Sequence, residues 1–200
     1  MFEEIFSAGF SRAKEFLERV KEYEDRPGVK AVYNDVASVM DGLPADVGLV
    51  AMLWLAKRYY RELTDDAVEY ALGVAGAVTL TLLEEDMNMM SSPFIYSAVL
   101  ERANDLVNTF MYEAIRRLDE AYDLIKKVEE VVKRHEPFDV AVGTVFLLMN
   151  IAQSAAKQLA DPIARLTTVT AIAMIIGVSM ITPESAESFI NSAVVRPGVM

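Results

Sequence analysis

Apolar residues recur every three or four positions along most of the chain, a spacing that places them on one face of an α-helix. No stretch alternates apolar and polar residues as a half-buried strand does. A capping residue precedes proline at Ser92-Pro93, Asp161-Pro162 and Thr182-Pro183, which marks helix starts. The pattern predicts eight helices, over residues 2–25, 29–40, 45–63, 65–85, 93–135, 138–160, 162–180 and 183–193. We therefore expect a single all-α domain over residues 1–200, built as a multi-helix bundle.

The first predicted helix repeats its apolar positions at alternating steps of four and three residues. The positions are Phe2, Phe6, Gly9, Ala13, Phe16, Val20 and Tyr23. A period of 3.5 residues is that of a coiled-coil seam, so residues 1–25 are a candidate N-terminal arm. An amphipathic helix lying on the core gives the same pattern, and the shortness of the seam favours this second interpretation.

The fourth predicted helix carries a row of small residues. Ala67, Ala71, Ala75 and Thr79 are four residues apart, and Gly73, Gly76 and Ala77 lie beside them. Small side chains let two helix backbones approach closely, and glycine inside a helix needs a packing reason because it lowers helix propensity. We expect a tight helix pair here.

The helix predicted over residues 93–135 is the longest, and we expect the bundle to be built around it. Its apolar positions are Tyr96, Val99, Ala103, Leu106, Phe110, Ala114, Leu118, Ala121, Ile125, Val128 and Val132, with a mean step of 3.6 residues. Unbroken, it would be ~64 Å long at ~1.5 Å per residue, whereas a compact domain of this size is roughly 43 Å across. Either the helix kinks, or the molecule is elongated, or the overhanging face packs on another subunit. The polar residues at 104–109 mark a candidate break.

Charge is sparse in the last third of the chain. Only seven charged residues follow position 137, namely Asp139, Lys157, Asp161, Arg165, Glu184, Glu187 and Arg196. The low-charge stretches 140–156 and 166–181 predict an apolar helical hairpin over residues 138–181. A membrane-spanning helix needs about 20 apolar residues, and these stretches are slightly short and contain polar residues such as Asn150. Burial by protein, within the domain or between copies, is favoured over a bilayer, with the polar groups bonded to the backbone.

Composition removes several classes of site. The chain is 53% hydrophobic and 24% charged, which excludes disorder, and it contains no cysteine, which excludes disulfides and thiolate metal sites. A net charge of −11 disfavours broad contact with nucleic acid. Abundant Glu, Lys and Arg beside one histidine would suit a thermophile. The first ten residues lack the features of a secretory signal, so we expect the virion or the cytoplasm, with the membrane as the alternative.

Two local groups of basic residues are candidate contacts to nucleic acid. The first is the run of cations interleaved with tyrosines at Lys57, Arg58 and Arg61. The second lies on the first helix and comprises Arg12, Arg19 and Lys21. The first run also falls at a predicted helix C-terminus, where cations complement the helix dipole, and this capping role is favoured.

The acidic sequence DDAVE, Asp65 to Glu69, resembles the aspartate-rich motif of isoprenoid synthases, which are all-helical and hold magnesium with paired acids. Residues 104–113 only approach the companion motif of that family, because Asn108 stands where a hydroxyl residue is required and the glutamate falls one place late. Acids in the first turn of a helix also complement its positive dipole end, and this interpretation is favoured.

Other candidate ligands do not form complete sets. His135 has no Glu-x-x-His partner of a di-iron bundle, and we expect it on the surface at a helix C-terminus. Met87, Met89 and Met90 are expected to fill apolar gaps. The sequence thus predicts no catalytic residue, no cofactor and no metal site.

These patterns together predict a non-enzymatic structural protein that self-assembles through apolar helix faces as a homo-oligomer or repeated assembly, of which a viral coat or capsid subunit is one form. Two alternatives stay open. One is a small integral membrane protein that inserts residues 140–181, and the other is an accessory helical subunit of a larger complex.

Overall fold

The computed structural model describes the backbone of residues 2–180 and the side chains of residues 11–180. Its helices are α1 (Phe2–Lys21), α2 (Pro27–Met40), α3 (Ala45–Tyr59), α4 (Ala67–Thr79), α5 (Glu84–Met89), α6 (Pro93–Arg116), α7 (Leu118–Val132), α8 (Pro137–Lys157) and α9 (Pro162–Met180), with a 3₁₀ turn at Tyr60–Glu62. No strand occurs in the described range, so the all-α prediction is confirmed. The helix predicted at 183–193 lies outside the described residues.

α9 occupies the middle of the bundle and packs against α4, α6 and α8. α8 packs on its other sides against α2 and α3, while α7 covers α2 and α3 from outside. α8 and α9 follow each other through a short turn and contact along their length, so the predicted apolar C-terminal hairpin is confirmed. The hairpin therefore supplies the two central helices around which the amphipathic helices pack.

The helix predicted over residues 65–85 is wrong in extent. α4 ends at Thr79, and a turn separates it from the short α5. The hydroxyl of Thr81 donates to the carbonyl of Val78 at 2.7 Å, and the Thr81 amide donates to the same carbonyl at 3.0 Å. Both bonds join residues three positions apart, in place of the bonds between residues four positions apart that would continue an α-helix.

α1 and α4 form the tight pair that the small residues predict. A Cβ added to Gly73 would lie 2.5 Å from Cγ of Phe16, and one added to Gly76 would overlap Ala13. Arg19 lies 3.9 Å from Glu69, so the two helices run antiparallel. Since Ala13, Phe16, Leu17 and Val20 are buried, the described part of α1 lies on the core rather than projecting as an arm.

Two ion pairs with nearly inaccessible carboxylates hold helix ends together. Asp86 of α5 accepts two bonds of 2.8 Å from the Arg165 guanidinium of α9, and it raises the pKa of that guanidinium through these bonds. Arg26 Nε lies 2.8 Å from an oxygen of Asp139, a residue in the first turn of α8. Any side chain at Gly28 would overlap the Asp139 carboxylate, so glycine at the start of α2 makes room for it.

His135 lies just after the end of α7, and it is less exposed than the prediction of a surface residue implies. Its side chain is only 13% exposed, and Nε2 lies 2.9 Å from the carboxylate of Asp35 on α2. The segment that joins α7 to α8 passes beside α2, and this brings the two residues together although they are far apart in sequence.

Candidate assembly surface

The predicted 43-residue helix is two helices, and its candidate break lies elsewhere. Residues 104–109 are continuous helix within α6, where the Thr109 hydroxyl donates to the carbonyl of Asp105 at 2.9 Å. The helix is interrupted at Arg117, whose φ of −112° and ψ of 24° depart from helical values. Its guanidinium lies 3.5 Å from Asp46, at the start of α3. Polar residues did not break the helix because their side chains remain in solvent.

Large apolar side chains are exposed on both sides of this interruption. Met111 is 48% exposed, Tyr112 63%, Ile115 62%, Leu118 57% and Tyr122 60%. We call these five residues the α6–α7 stripe. Taking ~200 Å² for each side chain when fully exposed, they present roughly 600 Å² of surface, which is the upper end of the largest patch on a typical monomer.

The stripe arises because α6 and α7 bury a different face. The buried residues of α6 are Val99, Ala103 and Ala114, and those of α7 are Ala121, Leu124, Val128 and Val132. At 3.6 residues per turn, Met111, Ile115, Leu118 and Tyr122 lie roughly 75–130° around their helix from the mean buried direction, and Tyr112 lies almost opposite it. Apolar residues therefore cover more of each helix than the bundle can bury.

Both tyrosines of the stripe carry a cation on the ring. Arg116 lies 5.9 Å from the ring centre of Tyr112, and Lys126 lies 4.2 Å from that of Tyr122. Each cation–π pair joins neighbours on one helix face. These contacts restrict the rotamers of both rings, which lowers the entropy lost when a partner packs on them.

The six cations predicted as candidate contacts to nucleic acid lie in more than one region of the bundle. Lys57, Arg58 and Arg61 line a cavity of about 220 Å³ together with Tyr60, Ala67 and Met180. Arg19 reaches Glu69 in the first turn of α4, and it thus lies at the same end of the bundle as Ala67. 

Acidic neighbours partly neutralise this end of the bundle. Arg58 donates to Glu129 at 3.0 Å, and its guanidinium lies 5.2 Å from the Trp54 ring centre. Arg12 is next to Ala13, which packs near the other end of α4, while Lys21 ends α1. All six cations are exposed, but they do not form one continuous patch.

Two of the three acids of the DDAVE sequence form hydrogen bonds at the start of α4. Asp66 is the N-cap, and its carboxylate accepts from the amides of Val68 and Glu69. Glu69 in turn accepts from the Thr64 hydroxyl at 2.7 Å. Among the side chains of residues 11–180, no group of three or more His, Cys, Asp or Glu residues is arranged to hold a metal ion. Met87, Met89 and Met90 pack partly buried against the core.

The candidate membrane segments α8 and α9 are long and apolar enough to cross a bilayer by length and composition alone. In α8, 56% of the apolar window is buried inside the protein, and in α9 44% is buried. A backbone bond of the predicted kind is present at Ser179, whose hydroxyl donates to the Ile176 carbonyl at 3.0 Å, but the buried Thr167 hydroxyl has no partner among the described residues. Asn150 and Gln153 instead line a groove of about 540 Å³ between α8 and α2, a feature that the sequence pattern did not predict.

What the surface does is inferred from its own residues. The α6–α7 stripe is identified by its exposed apolar side chains on both sides of the helix interruption. The sequence did not predict the stripe, because the apolar positions repeat with the period of one straight helix. No protein-family model matches the chain, and the comparisons with curated proteins and with solved structures find no match either.

Proposed function

We propose that this protein is a structural subunit that self-associates through the α6–α7 stripe. The observation that carries the proposal is the exposure of five large apolar side chains on both sides of one helix interruption, in a chain with a net charge of −11. A patch at the upper end of the range found on monomers is often functional. The stripe lies on two helices that are fixed by α3, α2 and α9, so its shape is set before a partner binds.

A viral coat or capsid subunit is one form of this function. Such a repeated assembly needs a second interface besides the stripe, and it makes contact with nucleic acid through local cations where it encloses a genome. The cavity lined by Lys57, Arg58 and Arg61 supplies exposed cations for that contact. The overall acidity of the chain disfavours contact with nucleic acid outside such local groups of cations.

Light scattering after size exclusion in detergent-free buffer tests the proposal. We expect a discrete mass that is a multiple of 22.2 kDa. Ile115→Asp places a charge in the middle of the stripe and is expected to reduce the mass to that of a monomer, since an unpaired buried charge is strongly unfavourable. Phe94→Asp is the matched control, because Phe94 is 88% exposed on α6 outside the stripe. This control should keep the mass of the unmodified protein.

Three results contradict the proposal. One is a monomer at high protein concentration, which is also what an accessory subunit gives before it meets its partner. Another is an Ile115→Asp variant that keeps its mass. The third is recovery of the protein only from the membrane fraction, which favours insertion of α8 and α9.

A further inference from the structure

From the spacing of the stripe, we infer that it pairs with the same stripe of a second copy, antiparallel, about a two-fold axis at Arg116 and Arg117. This inference rests on the proposed function, and it identifies the α6–α7 stripe of a second copy as the surface that the stripe contacts. It predicts a closed dimer as the unit of assembly, because a two-fold interface uses the same patch on both copies.

The order of apolar positions is the first argument. Met111, Ile115, Leu118 and Tyr122 are separated by four, three and four residues, a series that reads the same in both directions. Its midpoint lies between Arg116 and Arg117. A two-fold axis there brings Met111 opposite Tyr122 and Ile115 opposite Leu118 of the partner subunit. Every large side chain of the series then meets another, as in the layers of an antiparallel helix pair.

Charge complementarity is the second argument, and it selects the antiparallel direction. Asp105 lies 11.5 positions before the midpoint, and Lys126 and Lys127 lie 9.5 and 10.5 positions after it. All three residues are exposed. Antiparallel pairing therefore brings Asp105 within a turn of two lysines of the partner subunit, whereas parallel pairing brings Asp105 beside Asp105 of the partner subunit. Antiparallel neighbours also align their helix dipoles favourably.

The edge of the stripe adds a polar contact. Tyr112 and Asp119 are exposed on the same side of the series, 4.5 positions before and 2.5 positions after its midpoint. In the antiparallel pair the Tyr112 hydroxyl is placed to donate to the carboxylate of Asp119 of the partner subunit. The two-fold axis repeats this bond, so it forms twice at each interface.

The available area is the third argument. Two stripes of roughly 600 Å² each bury about 1,200 Å² in total, which is the lower bound for a specific protein interface. The polar residues that flank the stripe add to this area. The interruption at Arg117 lies at the centre, so α6 of one copy lies along α7 of the other on both sides of the axis.

Cysteine cross-linking tests the register, since the chain contains no cysteine of its own. Met111→Cys and Tyr122→Cys are prepared separately, each checked for helical content by circular dichroism, and then mixed under mild oxidation. A disulfide needs Cα atoms about 4.4–6.8 Å apart, so we expect a roughly tenfold excess of the mixed dimer over either self-linked dimer. Ile115→Cys mixed with Leu118→Cys is the second pair and should behave in the same way.

The outcomes separate this inference from the proposed function. Self-linked dimers from each single variant in excess of the mixed dimer indicate parallel pairing and overturn the inference. Equal amounts of self-linked and mixed dimers indicate that the stripe has no fixed register, and they overturn it as well. Absence of any cross-link, while the unmodified protein keeps an oligomeric mass, shows that another surface or register is used and also overturns it. A monomeric unmodified protein overturns the proposed function as well.

Discussion

Replacing Gly73 with alanine is expected to destabilise the protein, although alanine is the better helix former. The new methyl carbon would lie 2.5 Å from Cγ of Phe16 and 2.8 Å from both Cδ atoms, and these distances are too short for packed carbon atoms. Phe16 cannot easily move, because it is only 4% exposed and its ring packs edge-on against Tyr70 at 6.0 Å. Overpacking of this kind costs about 1–3 kcal/mol.

The gain in helix propensity opposes this cost by roughly 0.5–1 kcal/mol. We therefore expect Gly73→Ala to lose about 1–2 kcal/mol of unfolding free energy, equivalent to a fall in Tm of roughly 3–6 °C for a chain of this size. Gly177→Ala in α9 is the matched control, because no described atom lies within 4 Å of its new methyl position. The control should gain about 0.5–1 kcal/mol from propensity alone.

Urea denaturation followed by circular dichroism measures both variants, at one protein concentration because assembly shifts apparent stability. Phe16→Ala in the Gly73→Ala background removes Cγ and both Cδ atoms, which are the atoms that clash. The double variant should lose less than the sum of the single losses, with a coupling energy of about 0.5 kcal/mol or more. Equal stabilisation by Gly73→Ala and Gly177→Ala would refute the packing of Phe16 into the glycine row.

Two further predictions concern a buried hydroxyl and the basic residues. Tyr70 is fully buried without a hydrogen-bond partner in the described part of the chain, and burial raises its pKa far above the usual value. As the pH rises, the tyrosine of the unfolded chain therefore loses its proton before Tyr70 of the folded chain does. The free energy of unfolding should be unaffected by this group below pH ~10 and should fall above it, by up to about 1.4 kcal/mol per pH unit. Tyr70→Phe should be at least as stable at neutral pH and should remove this part of the alkaline loss, as measured by urea titrations at pH 8 and pH 11. Neutralising Lys57, Arg58, Arg61, Arg12, Arg19 and Lys21 together should abolish any retention of random DNA in a filter-binding assay, and unchanged retention excludes these residues.

The class of fold and the central hairpin could be predicted because both depend on local signals. Asp161 before Pro162 marks the start of α9, and low charge over residues 140–181 marks the two helices that the bundle buries. The glycines of α4 predicted a close helix pair because few other causes place glycine within a helix.

The break at Arg117 could not be predicted from the periodicity of apolar positions, which continues through it. Arg117 carries no signal of a helix end, and its guanidinium is paired with Asp46, 71 positions earlier in the chain. The partial burial of His135 depends in the same way on Asp35. The stripe was missed because periodicity counts apolar positions without distinguishing which of them neighbouring helices cover.

The central position of α9 has a consequence for the order in which the chain acquires its structure during synthesis. α4 and α6 are made long before α9, yet both pack against it. Until residues 162–180 leave the ribosome, the apolar faces of α4 and α6 that pack against α9 have no partner helix to cover them. We therefore expect the nascent chain to remain an incompletely packed bundle until then, and we expect this interval to expose the most apolar surface to chaperones.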